Sequence, residues 1–232
     1  MKAVESASFL AGVKAILPIL LGVFPFAIIA GITVVNNGIE PYAAMGMSLI
    51  IYAGASQLAM AELIGKQAPF LIILATALVI NLRFLMYSAY MAPHFSGLKK
   101  RWTWPAAYMM TDQAFAVSVI GFTQNDGAHS KHWFYLGSGT IMWLTWQVGS
   151  LVGILAGLKV PASWGLDFAI PLTFMAILFP TLKDTAAISA SVCAGIIALL
   201  ALDLPFNTGI LVAAGSGIGI GLLVETVKEL HK

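Results

Sequence analysis

The stretch Pro69–Pro93 reads PFLIILATALVINLRFLMYSAYMAP, and the rest of the chain has to be consistent with it. A bilayer core is crossed by about 20 predominantly apolar residues, and this run is long enough. Yet Asn81 and Arg83 lie well inside it. An Arg near the centre of a membrane helix costs roughly 2.5–3.5 kcal/mol on insertion scales. Lipid offers nothing to offset that. The guanidinium must face other helices, a counter-charge or a watery cavity, so the stretch implies a bundle of several helices with a polar interior.

The composition agrees. The 232 residues are 59% hydrophobic and 9% charged, with a mean hydropathy of +0.91. A soluble globule carries about 25% charged residues. The reading is an all-α, polytopic transmembrane bundle in which residues 1–232 form one transmembrane domain. A net charge of +2 argues against nucleic acid as a partner; the partner medium is the lipid bilayer. The single Cys193 lies in an apolar run, which excludes an intrachain disulfide and a thiolate metal cluster. No cleavable signal is expected, because the early charges Lys2, Glu5 and Lys14 are scattered and the apolar run continues past Pro25.

Outward from the Arg83 run, the spans fall in order. An amphipathic lead, Met1–Lys14, precedes a first span at about 15–35. Pro18, Gly22, Pro25 and Gly31 predict that it is kinked or broken, with Pro25 as the break. A polar turn from Asn36 to Pro41 leads to a second span at about 42–64. Deep within it lies Tyr52-Ala53-Gly54-Ala55-Ser56-Gln57. After the Arg83 span comes the most basic loop, Lys99-Lys100-Arg101, and a fourth span at about 102–122 holding Thr111-Asp112-Gln113. A hydrophilic loop, 123–132, precedes a fifth span at about 133–158. Its Gly149, Gly153 and Gly157 form a ridge of small residues suited to close helix packing. The run 166–179 is half-length and ends at Pro180, which predicts a re-entrant or broken segment. Spans at about 185–202 and 206–224 follow, the last with Gly215, Gly217, Gly219 and Gly221. The total is seven spans if the short run is re-entrant and eight if it crosses. The basic loop at 99–101 is expected on the cytoplasmic side.

An internal echo links the halves. Ile28-Ile29-Ala30-Gly31-Ile32 and the turn ending at Gly38 resemble Ile154-Leu155-Ala156-Gly157-Leu158 and the turn ending at Gly165. Each copy precedes an apolar run with a broken end, at Gly54 and at Pro180. Corresponding interrupted segments in two halves point to a transporter binding site.

Chemistry concentrates at few positions. Arg83 and Asp112 are the two charges clearly inside apolar spans, and they have opposite sign. An ion pair is the economical arrangement, since stripping one partner from a buried pair costs several kcal/mol. Such a pair either locks two helices together or lines a polar pocket, where Arg83 meets a carboxylate and Asp112 an amine or a proton. On a helix Arg83, Tyr87 and Tyr90 share one face, with Asn81 and Ser88 alongside. Gly54 lets the backbone open or approach a ligand, and Ser56 and Gln57 add a hydroxyl and an amide. Against this stands ordinary interhelical hydrogen bonding. Gln147 with Trp143 and Trp146 makes an aromatic and amide surface, for which core packing or an interfacial aromatic belt is the stronger reading. His94, His129, His132 and His231 fall in loops or at ends without metal-ligand spacing, so no metal is expected. The absence of a histidine in a span leaves Ser56 without a base, which argues against an intramembrane serine hydrolase and against an enzyme generally.

Taken together, Pro25-Phe26 with Gly31, the Tyr52–Gln57 segment, Asn81-Leu82-Arg83 and Thr111-Asp112-Gln113 resemble the AzlC family of branched-chain amino acid permeases. The resemblance covers nearly the whole chain. It implies a multi-pass protein of the bacterial inner membrane that exports valine, leucine or isoleucine, together with a small, separately encoded membrane subunit of the AzlD type. The family usually shows Asp-Glu at the fourth-span motif. Gln113 replaces the acid here, so any proton coupling at this motif falls to Asp112. No cofactor is implied. A passive channel, or a transporter of another small solute, is the competing expectation. On the family reading, half-helix N-termini at the breaks near Pro25, Gly54 and Pro180 bind the substrate carboxylate.

Overall fold

A computed structural model describes residues 3–96, 98–124, 130–157, 182, 184–205 and 208–230. Among these residues every regular element is helical and none is a strand. Four helical runs are long and apolar enough to cross a membrane: Val4–Asn36, Phe70–Phe95, Lys131–Gly157 and Gly209–Lys228. The chain groups into two compact units, Met1–Leu58 with Ile80–Val160, and Ala59–Val79 with Pro161–Lys232.

The first unit is built on two long helices, α1 (Ala3–Asn36) and α8 (Lys131–Gly157). They run side by side in the same direction. Phe9 meets Gly137, Ala27 meets Gly149, and Ile32 meets Gly157. The glycine ridge on α8 is what allows this. A Cβ on Gly153 would collide with the carbonyl of Ile28, and one on Gly31 would lie 2.8 Å from the Ile154 nitrogen. Without a strong hydrophobic drive between helices in lipid, such backbone-to-backbone approach supplies the dispersion energy of association. Segment 28–32 therefore packs directly on 153–157, which holds residues 154–157 of the second echo. The rest of that copy, with the run 166–179 and Pro180, lies outside the described residues.

Pro25 does not break α1, contrary to expectation, and neither does Pro18. Helix α1 is continuous from Ala3, so the amphipathic lead belongs to it. Each proline deletes one i→i−4 bond, at the carbonyls of Lys14 and Leu21. Packing on α8 from Phe9 to Val35 brackets both sites and holds the remaining turns helical. The helix ends where Gly38 takes φ +82 and its N–H reaches the Val35 carbonyl at 2.9 Å, a glycine C-cap.

Two of the expected spans are interrupted, the second and the fourth. The second is α2 (Pro41–Ile50) and α3 (Gly54–Gly65), with the chain opened at 51–53 and Tyr52 at φ +44. A tyrosine in the left-handed region is strained; burial to 3% exposure and a ring contact with Tyr108 at 5.7 Å hold it there. The third stays one helical run, Phe70–Phe95: Leu82, itself in helical conformation at φ −54 and ψ −29, joins α4 (Phe70–Asn81) to α5 (Arg83–Met91), and a 3₁₀ turn, Ala92–Phe95, follows.

The fourth is not a single span. Helix α6 (Lys100–Tyr108) runs alongside α8, with Trp102 on Trp133, the Ala106 carbonyl accepting from Tyr135, and Met109 against Gly139. The chain reverses at 109–111, and α7 (Asp112–Gln124) returns until Phe122 is back beside Phe134. The physical cause is an N-cap. Thr111 Oγ1 accepts the Ala114 N–H at 3.2 Å, starting a new helix.

In the second unit, α9 (Thr185–Leu200) packs on α10 (Gly209–Leu230). Asp184 caps α9 by accepting the Ala187 N–H at 2.7 Å. Gly217 and Gly221 of α10 take Ala194 and Ala190 of α9 at close range. Gly215 and Gly219, on alternate positions, have nothing within 4 Å.

Candidate functional site

The helix interruptions bring the polar residues of the first unit together. Arg83, the first residue of α5, places Nη1 2.8 Å from Oδ2 of Asp112, the first residue of α7. Tyr87, one turn on, donates to the other carboxylate oxygen at 2.7 Å. The i, i+4 spacing lets both side chains reach one carboxylate. Asp112 also sits at the positive end of α7, where a carboxylate is favoured. Tyr87 stacks on Phe115 at 4.3 Å, and Tyr90 meets the same ring edge-on at 5.5 Å. Both charged side chains keep 28% of their surface exposed, so the pair is not sealed in a dry core.

Asn81 and Ser56 form the next contact. Asn81 Nδ2 donates to Ser56 Oγ at 3.1 Å, while Ser56 itself donates to the Ala53 carbonyl at 3.0 Å beside the break. Gln57 is 1% exposed. Its Oε1, together with Asn81 Oδ1 and Arg83 Nε, is buried without a hydrogen-bond partner. Native structures pair more than about 90% of such groups, so three unpartnered atoms on the segments that carry the Asn81–Ser56 contact and the ion pair mark a site.

Gly54 opens α3 against aromatic walls. A Cβ there would stand 2.5 Å from Cη2 of Trp146 and 3.2 Å from Cε1 of Phe26, whose rings meet edge-on at 5.5 Å. Trp146 Nε1, Tyr52 OH and Gln147 Oε1 are likewise buried and unpartnered.

Two expected site residues are placed elsewhere. Trp143 donates from Nε1 to Tyr108 OH at 2.9 Å, and Gln147 donates from Nε2 to the Ser48 carbonyl at 3.2 Å. Both tie α8 to its neighbours and neither touches Arg83 or Asp112. Gln113 follows Asp112 on α7, half-buried.

Sequence reasoning passed over Tyr108 and the break beside it. Tyr108 OH donates to the Leu49 carbonyl, which would have served the N–H of Ala53 had α2 continued. A signal was available. Tyr52-x-x-x-Ser56-Gln57 and Tyr108-x-x-x-Asp112-Gln113 repeat one spacing. Tyr108 ends α6 and Asp112-Gln113 begins α7, whereas Tyr52 lies within the opening and Ser56-Gln57 fall in the first turn of α3.

A bundle of long apolar helices, interrupted where its charges meet, is a multi-pass integral membrane protein. The comparisons with known proteins say which kind. A family model described as AzlC protein matches residues 18–160, and the chain belongs to that family. The inner membrane protein YgaZ of Escherichia coli (strain K12) is 25% identical over 231 residues, covering 96% of this chain and 91% of that one. An uncharacterized membrane protein of Archaeoglobus fulgidus is 32% identical over 219 residues, with 92% and 94% covered. One of Helicobacter pylori is 30% identical over 169 residues, with 72% of each chain covered. No solved structure matches.

Proposed function

We propose that the protein is a secondary transporter of the bacterial inner membrane that exports branched-chain amino acids by alternating access, with seven or eight spans and a small AzlD-type subunit as partner. It performs no covalent chemistry on its cargo. One observation supports this most: a partly exposed Arg83–Asp112 pair held by Tyr87, with Gln57 Oε1, Asn81 Oδ1 and Arg83 Nε left buried and unpaired on the same segments.

These groups match a zwitterion. Arg83 holds Asp112 through a terminal nitrogen, which leaves its Nε–H as a donor for a substrate carboxylate. Amide oxygens of Gln57 and Asn81 are acceptors for an ammonium group. Phe26 and Trp146 offer apolar surface to a branched side chain. With Gln113 uncharged, Asp112 alone carries any coupling of cargo to a proton at this motif.

Efflux of labelled valine from cells, with and without the co-expressed small partner, tests the reading. Arg83→Ala and Asp112→Ala abolish efflux at equal membrane expression, whereas Lys228→Ala in the exposed tail leaves it unchanged. Wild-type efflux from either site variant rejects the assignment. Uptake into proteoliposomes without stimulation by substrate on the far side makes the protein a channel instead.

A further inference from the structure

Helix α6 is anchored on one side and open on the other. Toward α8 it presents Trp102, 4.7 Å from the Trp133 ring, and the Ala106 carbonyl, 2.8 Å from Tyr135 OH. Away from α8 it presents Lys100, Thr103, Trp104 and Ala107, spaced as one helical face. Those four line a depression of about 390 Å³. The indole of Trp104 is 77% exposed beside it.

The depression is graded along its length. Lys100 lines its mouth, and with its neighbours Lys99 and Arg101 it makes three positive charges with no ion-pair partner among the described residues; Arg101 leans on the Trp102 ring at 5.7 Å. One turn inward stands Trp104, and about 10 Å from Lys100, at roughly 1.5 Å per residue, comes Ala107. The mouth lies at the end of the first unit where α8 begins, since Phe95 just before it meets Tyr135 at 5.3 Å.

We propose that this face binds an anionic phospholipid, with the phosphodiester at Lys99–Arg101 and the glycerol and first acyl carbons along Trp104 and Ala107. Charge complementarity selects the head group. The apolar wall beneath the basic rim selects an amphiphile, because a free phosphate gains nothing from Trp104 or Ala107. Basic pockets beside membrane helices recognise anionic head groups by this arrangement, and tryptophan favours the head-group level. The site is separate from the Arg83–Asp112 site. The two are joined along the chain, since α6 leads through 109–111 to Asp112.

The test uses the full chain in phosphatidylcholine vesicles and reads the fluorescence of Trp104 as the difference between wild type and Trp104→Phe. Brominated phosphatidylglycerol is expected to quench that signal at a mole fraction about fivefold or more below brominated phosphatidylcholine, the factor one well-placed charge supplies. Replacing Lys99, Lys100 and Arg101 by Gln removes the preference and leaves quenching by phosphatidylcholine unchanged. Should that triple variant fail to fold, the wild-type comparison of the two lipids still decides. Equal quenching by both lipids makes Trp104 a neighbour of ordinary surrounding lipid and overturns the proposal. Loss of the preference on adding inorganic phosphate makes the site one for free anions, and no quenching by either lipid means that protein covers the face; both also overturn it.

Discussion

Removing Asp112 should cost more than removing either of its partners, and the costs should not add. Breaking a fully buried ion pair costs about 3–5 kcal/mol, because one charge is left unpaired in a poor solvent. Arg83 and Asp112 retain 28% exposure each, so about 2–3 kcal/mol is expected for Arg83→Ala. Tyr87 donates to a charged oxygen at 2.7 Å, and Tyr87→Phe should cost about 1.5 kcal/mol, the lower part of the range for such bonds. Asp112→Ala loses both interactions and should cost about 4 kcal/mol. In the Arg83→Ala/Asp112→Ala double variant the pair is already gone after the first change. A coupling of about 2–3 kcal/mol therefore remains in the cycle. The measurement is reversible unfolding of the purified protein in mixed micelles, titrated with a denaturing detergent and followed by circular dichroism. Additive costs, within about 0.5 kcal/mol, would show that water screens the two groups from each other and would refute the argument.

Further outcomes follow from the packing. Gly153→Ala puts a Cβ 2.8 Å from the Ile28 carbonyl carbon and 2.9 Å from its Cα. Backbone cannot give way as a side-chain end can, so α1 and α8 must separate, at about 3 kcal/mol or more, against a gain of at most about 1 kcal/mol from replacing a helical glycine. Gly46→Ala on α2 meets nothing within 4 Å and should be neutral or mildly stabilising in the same unfolding assay. Tyr108→Phe keeps the ring against Tyr52 but leaves the Leu49 carbonyl and Trp143 Nε1 without their partner. It should cost about 1–3 kcal/mol, and Trp143→Phe added to it should change little. Full additivity of those two substitutions would mean the hydroxyl bridges nothing.

Much of the bundle was legible because lipid punishes exceptions. A charge in an apolar run has few ways to be tolerated, so Arg83 and Asp112 announced each other. The ridge Gly149-Gly153-Gly157 likewise announced a close helix contact, although not that α1 would be the partner. Helix breaks were harder. Pro25 has strong local grounds to interrupt a helix, and packing on α8 overrides them. The break at 109–111 has no proline within it, only the capping chemistry of Thr111, and the whole run 102–122 is apolar enough to pass for one crossing. Hydropathy averages over a window, whereas a reversal needs only three residues to leave the helical conformation.

Sequence by itself determined that the chain lives in a membrane, that its helices pack through glycine, and which two charges must meet, since each follows from the cost of moving a residue type into hydrocarbon. Tertiary structure alone decided where the helices open. A proline or a tyrosine at a bend is stable or strained according to what packs against it: α8 keeps α1 whole through two prolines, while Tyr108 holds Tyr52 in a conformation that no local preference would choose.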